Sequence, residues 1–476
     1  MTLFFKEVDA GDAAVFAGAG LSAAAGHVDW RNLLRDVADE LDLDVDLETD
    51  LVSLAQFHVN HHRNNRHQIN QAIIGALSAE REPTENHRLL SRLPITTWWT
   101  TNYDQLIERA LRDAGKVVDV KSDVAQLANT RPRRDAIVYK MHGDIDRPNE
   151  AVVTRDDYER YSTDRGAFVT ALAGDLVSKT FLFLGFSFTD PNLDLILSRV
   201  RISFTNNQRR HFAIFKERTR NPDKETEEQY AHAKARQLHV VEDLKRFNIR
   251  VLLVKEYAEI TTILRELERR YRRRTVFVSS SAADFEPWGE EAVTSFMRAL
   301  GNALVARDMR VATGLGLGVG NALFTGAVER VVGDRRTRIE ETLVLRPFPQ
   351  AIPDPVQREA FWAAYRRDLI GQAGIALFLF GNKKAGDAIV EANGMRSEWD
   401  IARELDAILI PIGATGSMAA KLAALQADDG AARLHLDDAA LAKIQELSQP
   451  VEDLKDLVEP IAALVARLRE PSPDAA

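Results

Sequence analysis

Five apolar residues, Ala13 to Ala17, run straight into Gly18-Ala-Gly-Leu-Ser22. A strand ending in a glycine turn lets backbone N–H groups approach a pyrophosphate, so this junction predicts a nucleotide-binding α/β domain. Three further segments follow in order: Thr100-Thr-Asn-Tyr-Asp104, Met141-His-Gly-Asp144 and Gly185-Phe-Ser-Phe-Thr-Asp-Pro-Asn192. Asn102 and His142 each sit just past a strand-like run, Ile95–Thr101 and Ala136–Met141. In an open parallel sheet the carboxyl ends of the strands line one crevice, so residues distant in sequence converge there. The layout is that of a dinucleotide site with a polar pair poised for chemistry.

Short apolar runs alternate with helix-like stretches from Phe16 to about Leu253, the rhythm of a layered α/β domain. Strand candidates are Ala13–Ala17, Thr96–Thr101, Ile137–Lys140, Phe181–Leu184, His211–Phe215 and Arg250–Val254. Residues His58 to Ala79 read as a helical insertion able to cover the crevice. A helix from about Tyr257 to Arg270 ends in Arg269-Arg-Tyr-Arg-Arg-Arg274, which reads either as cations suited to a helix C-terminus or as a polyphosphate contact. The boundary is placed there, giving domains 1–274 and 275–476. A second rhythm then opens with Thr275-Val-Phe-Val-Ser-Ser-Ser281 and the glycine loop Thr313-Gly-Leu-Gly-Leu-Gly-Val-Gly320. Strands Thr342–Arg346, Ile375–Phe380 and Ala407–Ile412 follow, the last two running into Gly381-Asn-Lys383 and Gly413-Ala-Thr-Gly416. Glycine turns after successive strands describe a second nucleotide crevice. The tail from Glu470 has nothing to pack and is expected to be disordered.

Composition narrows the function. The chain has 476 residues, no cysteine and a net charge of −9. Thiolate-held zinc and disulfides are therefore impossible, and the charge argues against a nucleic-acid partner. His58, His61 and His62 come closest to a ligand cluster but lack a second pair at finger spacing, so no metal is expected. The N-terminus does not read as a signal peptide and no apolar run reaches membrane length, which predicts a soluble, cytoplasmic protein without membrane contact.

The segment Gly18-Ala-Gly-Leu-Ser-Ala-Ala-Ala-Gly-His-Val-Asp-Trp-Arg31 resembles the sirtuin nucleotide loop, GAGxSxxxGxxDFR, with Trp30 where that pattern has Phe. Thr101-Asn-Tyr-Asp104 resembles the sirtuin QNID motif, and His142-Gly143 its catalytic HG. Gly185-Phe186-Ser187 stands where sirtuins usually have GTS. The resemblance covers about the first 270 residues and departs at the four-cysteine zinc module, which this chain cannot hold. The second half resembles the SLOG superfamily of Rossmann-like ligand-binding domains, without the PGGxGT motif of its phosphoribohydrolase branch. The pairing, together with Leu345-Arg-Pro-Phe-Pro-Gln350 and Gly381-Asn-Lys383, resembles the NAD-consuming effectors of bacterial Thoeris anti-phage defence. The implied fold is thus a sirtuin-like Rossmann-type parallel-sheet domain without a zinc module, followed by a Rossmann-like SLOG domain.

Hydrolysis of the nicotinamide–ribose bond of NAD⁺ needs a held ribose, an oriented water and a proton acceptor. His142 suits the base and Asn102 the positioning of water and ribose. Backbone around Gly18, Ala19 and Gly20, with Ser22, would cradle the diphosphate. Asp104 would hold ribose or fix the Asn102 loop, and Gly185, Ser187 and Asp190 would line the adenosine side. Asp29 reads equally as an NAD-binding residue and as a helix cap, Trp30 equally as a site residue and as core, and Asn102 has an Asx-turn reading beside its catalytic one. NAD⁺ would be substrate, and no cofactor is expected.

The effector resemblance implies that the second domain binds a cyclic ADP-ribose isomer, made by a TIR-domain partner protein, as activator. Arg366 and Lys383 would grip its phosphates, Ser280, Ser281 and Gly316 would line the strand-end turns, and Glu398 would accept from a ribose or adenine group. A salt bridge is the plainer reading of Arg366. A homo-oligomer of four or more copies is expected. Three functions compete at this stage: a ligand-gated NAD⁺ hydrolase, a sirtuin-type deacylase or ADP-ribosyltransferase, and a nucleotide-binding scaffold without turnover.

Overall fold

The computed structural model describes residues 1–27, 30–77, 79–204, 208–223, 225–334, 338–349, 352–428, 430 and 435–469. Asp29, Gln350 and the tail from Glu470 lie outside these. The chain divides into two units, Met1–Glu268 and Arg269–Ala476.

In the first unit seven strands form one parallel sheet: β1 (Ala13–Ala17), β2 (Thr97–Thr100), β3 (Val118–Lys121), β4 (Ala136–Lys140), β5 (Thr180–Leu184), β6 (His211–Lys216) and β7 (Ile249–Val254). Their order is β3-β4-β2-β1-β5-β6-β7. The chain leaves β1 for one side of the sheet and later returns to place β5 on the other. β1 and β5 therefore flank the switch point, where ligands bind in open α/β sheets. Both strands are wholly buried, which is why they read as unbroken apolar runs rather than alternating ones.

The two turns at this switch point meet through backbone. Gly18 N–H donates to the Leu184 carbonyl and Gly20 N–H to the Gly185 carbonyl, both at 2.9 Å. A Cβ on Gly18 would collide with the Gly185 carbonyl, and one on Gly185 with the Leu21 amide; Gly185 also sits at φ +63°. The glycines thus permit close backbone approach between the turns. Because Gly20 spends its N–H there, that group is not available to a diphosphate as the sequence suggested.

The second unit holds β8 (Thr275–Ser281), β9 (Arg310–Thr313), β10 (Leu343–Leu345), β11 (Ile375–Phe380) and β14 (Ile408–Pro411), parallel in the order β10-β9-β8-β11-β14. Strands β12 (Asn382–Ala385) and β13 (Ala388–Glu391) form a separate antiparallel hairpin. Alternate residues of the main sheet feed two cores: Val276, Val278, Leu377 and Ile410 one, Phe277, Ala376, Phe378 and Leu409 the other. Both faces are covered, as an all-parallel sheet requires.

The unit boundary falls earlier than residue 274, inside the helix Tyr257–Arg272. Arg269 bonds to Asp406 at 2.9 Å, and Arg272 to the carbonyls of Leu405 and Ala373 at 2.8 Å each. These members of the basic cluster serve the packing of the second unit, a task neither sequence reading names. No described helix is long and apolar enough to cross a membrane.

Candidate active site

A cleft of about 860 Å³ opens at the carboxyl end of the first sheet. It is lined by Ala19, Gly20, Ser22, Asn102, Asp104, His142, Gly185, Ser187 and Asp190. Four strand ends, those of β1, β2, β4 and β5, therefore deliver to one place the residues that the sequence singled out. Gly18 lies just behind this wall, its carbonyl accepting from Asn102. Trp30, Arg31, Leu33, Asp50 and Leu51 line it as well. They precede the stretch 58–79 read as an insertion, of which Leu77 lines the cleft; the helices Leu51–His61 and His67–Leu77 pack with Leu33, Val37, Val45 and Tyr103 in a small core.

Asn102 is buried and held on three sides. Its N–H donates to Thr100 Oγ1 at 2.9 Å, and its Nδ2 donates to the Gly18 carbonyl at 3.0 Å and Ser22 Oγ at 2.8 Å. With both amide hydrogens committed to the glycine turn, Oδ1 is the atom available to accept from a hydroxyl or water. Asp104 Oδ1 accepts from Leu106 N–H at 3.0 Å and so holds the loop after β2.

His142 is 3 % exposed, with its ring edge-on to Tyr158 and Tyr161. Burial holds it below the ordinary histidine range; Asp190 opposes that shift and Arg165 adds to it. Held low in this way, the ring is neutral at pH 7 and keeps an open lone pair, the form a general base needs. Its Nε2 lies 3.3 Å from Asp190 Oδ2.

The segment Gly185–Asn192 explains its own unusual sequence. Phe186 and Phe188 turn into the aromatic core around Phe183, and Phe188 adopts φ +58° to do so. Ser187 and Thr189 face the cleft, their hydroxyls 2.7 Å apart. Asp190 then caps the helix Pro191–Ser203, with Leu193 N–H on its Oδ1 at 2.9 Å. Sequence reasoning assigned Asp190 to the adenosine side; in the structure its carboxylate is beside His142.

A buried ion cluster beneath the site escaped the sequence reading. Lys140 is fully buried and its ammonium meets Glu108 at 3.0 Å, Asp144 at 2.5 Å and the carbonyls of Tyr103 and Asp104 at 3.1 and 2.5 Å. It ties the Asn102 loop to the His142 loop. A lone lysine at the end of an otherwise apolar strand was the available signal. Among the described residues one cluster of metal-ligand type occurs, where His58 and His62 approach Glu40 at 2.7 and 3.3 Å. Both imidazole Nε2 atoms lie within hydrogen-bonding distance of the same carboxylate oxygen, Glu40 Oε2.

In the second unit, Ser280 and Ser281 end β8, and their hydroxyls are buried without hydrogen-bond partners. Gly316 backs onto the Ser280 carbonyl, where a Cβ would collide. Glu398 accepts from Ser279 Oγ at 2.6 Å and from Arg366 Nε at 3.3 Å. Burial pushes its carboxyl up, while Ser279 and Arg366 pull it down. Arg366 also lies over the rings of Phe348 and Trp362. The plainer reading of Arg366 thus applies, with a partner that is itself a candidate. Asn382 braces the turn after β8, accepting from Ala283 and Asp284 N–H at 2.7 and 2.9 Å. Lys383 lies half-buried on the hairpin strand β12.

Comparison with known proteins gives two family matches. Residues 96–239 match a SIR2-like domain and residues 259–468 the Sir2- and TIR-associating SLOG family. The chain is 48 % identical to the NAD(+) hydrolase ThsA of Acinetobacter baumannii, over 88 % of this chain and 87 % of that protein. It is 47 % identical to that of Bacillus cereus over 88 % and 87 %. With that of Enterococcus faecium it shares 40 % identity over 98 % of each.

Proposed function

Because the chain belongs to the ThsA family of NAD(+) hydrolases, we infer that it hydrolyses NAD⁺ in defence against phage, at the cleft of its first unit. The observation that carries this reading is the meeting of Asn102, His142 and the two glycine turns in one cleft. The C1′–N bond to nicotinamide breaks, and the ring leaves as a neutral molecule. Water forms the new bond to C1′ of the oxocarbenium-like ribose, giving ADP-ribose. Its surplus proton passes to His142, while Asn102 Oδ1 orients the water or a ribose hydroxyl. Trp30, Leu33 and Leu51 add apolar surface to the cleft, and exclusion of water there strengthens each polar contact inside.

The deacylase reading lacks support, since the cysteine-held module that frames the acyl-peptide cleft in sirtuins has no counterpart here. A pure scaffold has no use for a neutral, buried histidine opening on a cleft.

The second unit is the activator site in this reading, for a cyclic ADP-ribose isomer supplied by a TIR-domain partner, within a homo-oligomer. Arg366 exchanges its Glu398 contact for a phosphate, Lys383 approaches from the hairpin, and the unpaired hydroxyls of Ser280 and Ser281 donate to the ligand. A ligand can shift the active population only by its difference in affinity for the two states. Moving it from about 1 % to about 99 % needs about 5.5 kcal/mol of such difference. The Arg366→Ala/Lys383→Ala double variant is expected to lose stimulation by the cyclic nucleotide and to retain whatever basal nicotinamide release the wild type has. Full stimulation in that variant would place the activator elsewhere.

A further inference from the structure

We propose that Asp190 is the carboxylate partner of His142, a positioning residue that fixes the imidazole through Nε2–H and balances the imidazolium formed when the ring takes a proton. The inference rests on His142 being the base. It gives Asp190 a task distinct from contact with the adenosine.

Three observations carry it. His142 Nε2 is buried and makes no hydrogen bond of full geometry, yet Asp190 Oδ2 stands only 3.3 Å away. A small adjustment of the ring completes the bond, and catalytic hydrogen bonds commonly tighten when substrate binds. Second, the carboxylate is held rigidly. Oδ1 caps the helix Pro191–Ser203 through Leu193 N–H, and Tyr158 donates to Oδ2 at 3.3 Å. The two oxygens thus divide their work, one for the helix and one for His142 and Tyr158. Third, both side chains are shielded, with 4 % and 9 % exposure, so the attraction between carboxylate and imidazolium is little screened. With Nε2–H pointed at Asp190, Nδ1 is the nitrogen that accepts the proton.

The other groups facing the ring do not titrate where the base does. Tyr158 and Tyr161, from the helix Arg155–Asp164, are pushed up by burial. The Arg165 guanidinium is occupied by the carbonyls of Ser122, Met141 and Glu150. Tyr103, which also feels the Asp190 charge, is pushed up by burial too.

Asp190→Asn tests the assignment, because asparagine still caps the helix and only the charge is lost. In the full-length enzyme kcat for nicotinamide release is expected to fall about a hundredfold or more, as when the carboxylate behind a catalytic histidine is made an amide. KM should stay within about threefold. The acid limb of kcat/KM should move to lower pH, since a carboxylate that raised the pKa of His142 is gone. Tyr158→Phe should cause a smaller fall in the same direction. A raised KM with unchanged kcat would overturn the proposal and return Asp190 to substrate binding. A loss that tracks a lowered melting temperature, with the acid limb unmoved, would overturn it in favour of helix capping alone. His142→Ala run alongside separates the two levels: if it stays active the base assignment fails, and if only Asp190→Asn stays active this inference fails alone.

Discussion

Replacing His142 or Asn102 by alanine is expected to cut nicotinamide release by about 10²–10⁴-fold, the usual effect of removing a general base or a positioning group. The two losses differ in origin. His142 supplies the proton acceptor, and its burial between Tyr158 and Tyr161 keeps it neutral. Asn102 supplies an oxygen at a fixed point, because Gly18 and Ser22 hold its amide hydrogens. Both side chains are less than a tenth exposed, so alanine also leaves a small void. His142→Gln and Asn102→Asp fill that space and serve as matched controls. An unchanged unfolding midpoint with lost turnover is the expected pattern. Wild-type turnover in either alanine variant would remove that residue from the chemistry.

Lys140→Met is expected to be the most destabilising single change in the first unit, by about 3–5 kcal/mol, because it leaves buried charges without their partner. Burial alone would push the lysine down, but Glu108 and Asp144 more than offset this and hold it charged. Methionine matches its length and supplies no donor. Glu108, Asp144 and the carbonyls of Tyr103 and Asp104 would then face one another across an apolar gap. Urea unfolding of the full-length variant measures the loss. A cost under about 1 kcal/mol would show that the cluster is already neutral, with a proton on the carboxylates. Glu108 is the natural site for such a proton, since burial pushes its carboxyl up. Asp144 stays below the usual range despite burial, through Lys140, Asp146 N–H and Gln105.

The contrast between these two predictions marks what the sequence could disclose. Asn102 and His142 were legible because each follows a strand-like run, and parallel strands must end at one edge. The switch point itself was legible in Gly18 and Gly185, although their service is backbone packing as much as ligand approach. Lys140 was not legible as a keystone, because Glu108 and Asp144 reach it from a helix and a loop that periodicity does not connect. Asp190 was legible as a cleft residue, but its nearness to His142 was not, because it depends on how Phe186 and Phe188 pack against Phe183. Short strands also escaped. Val118–Lys121 carries charges amid its apolar residues, and Arg310–Thr313 spans only four. The β12–β13 hairpin is largely exposed and charged, so it lacked any core-facing pattern. The helical stretch 58–79 was legible as helix, but the cleft draws instead on Trp30, Arg31, Leu33, Asp50 and Leu51, whose place there depends on tertiary packing alone.

Nicotinamide release by the purified full-length chain, incubated with NAD⁺, tests the central claim most directly. It should be followed with and without a cyclic ADP-ribose isomer, and with and without an acylated peptide. Equal amounts of nicotinamide and ADP-ribose are expected, stimulated by the cyclic nucleotide and indifferent to the peptide. Release that requires the acylated peptide, or none under any of these conditions, would contradict that claim.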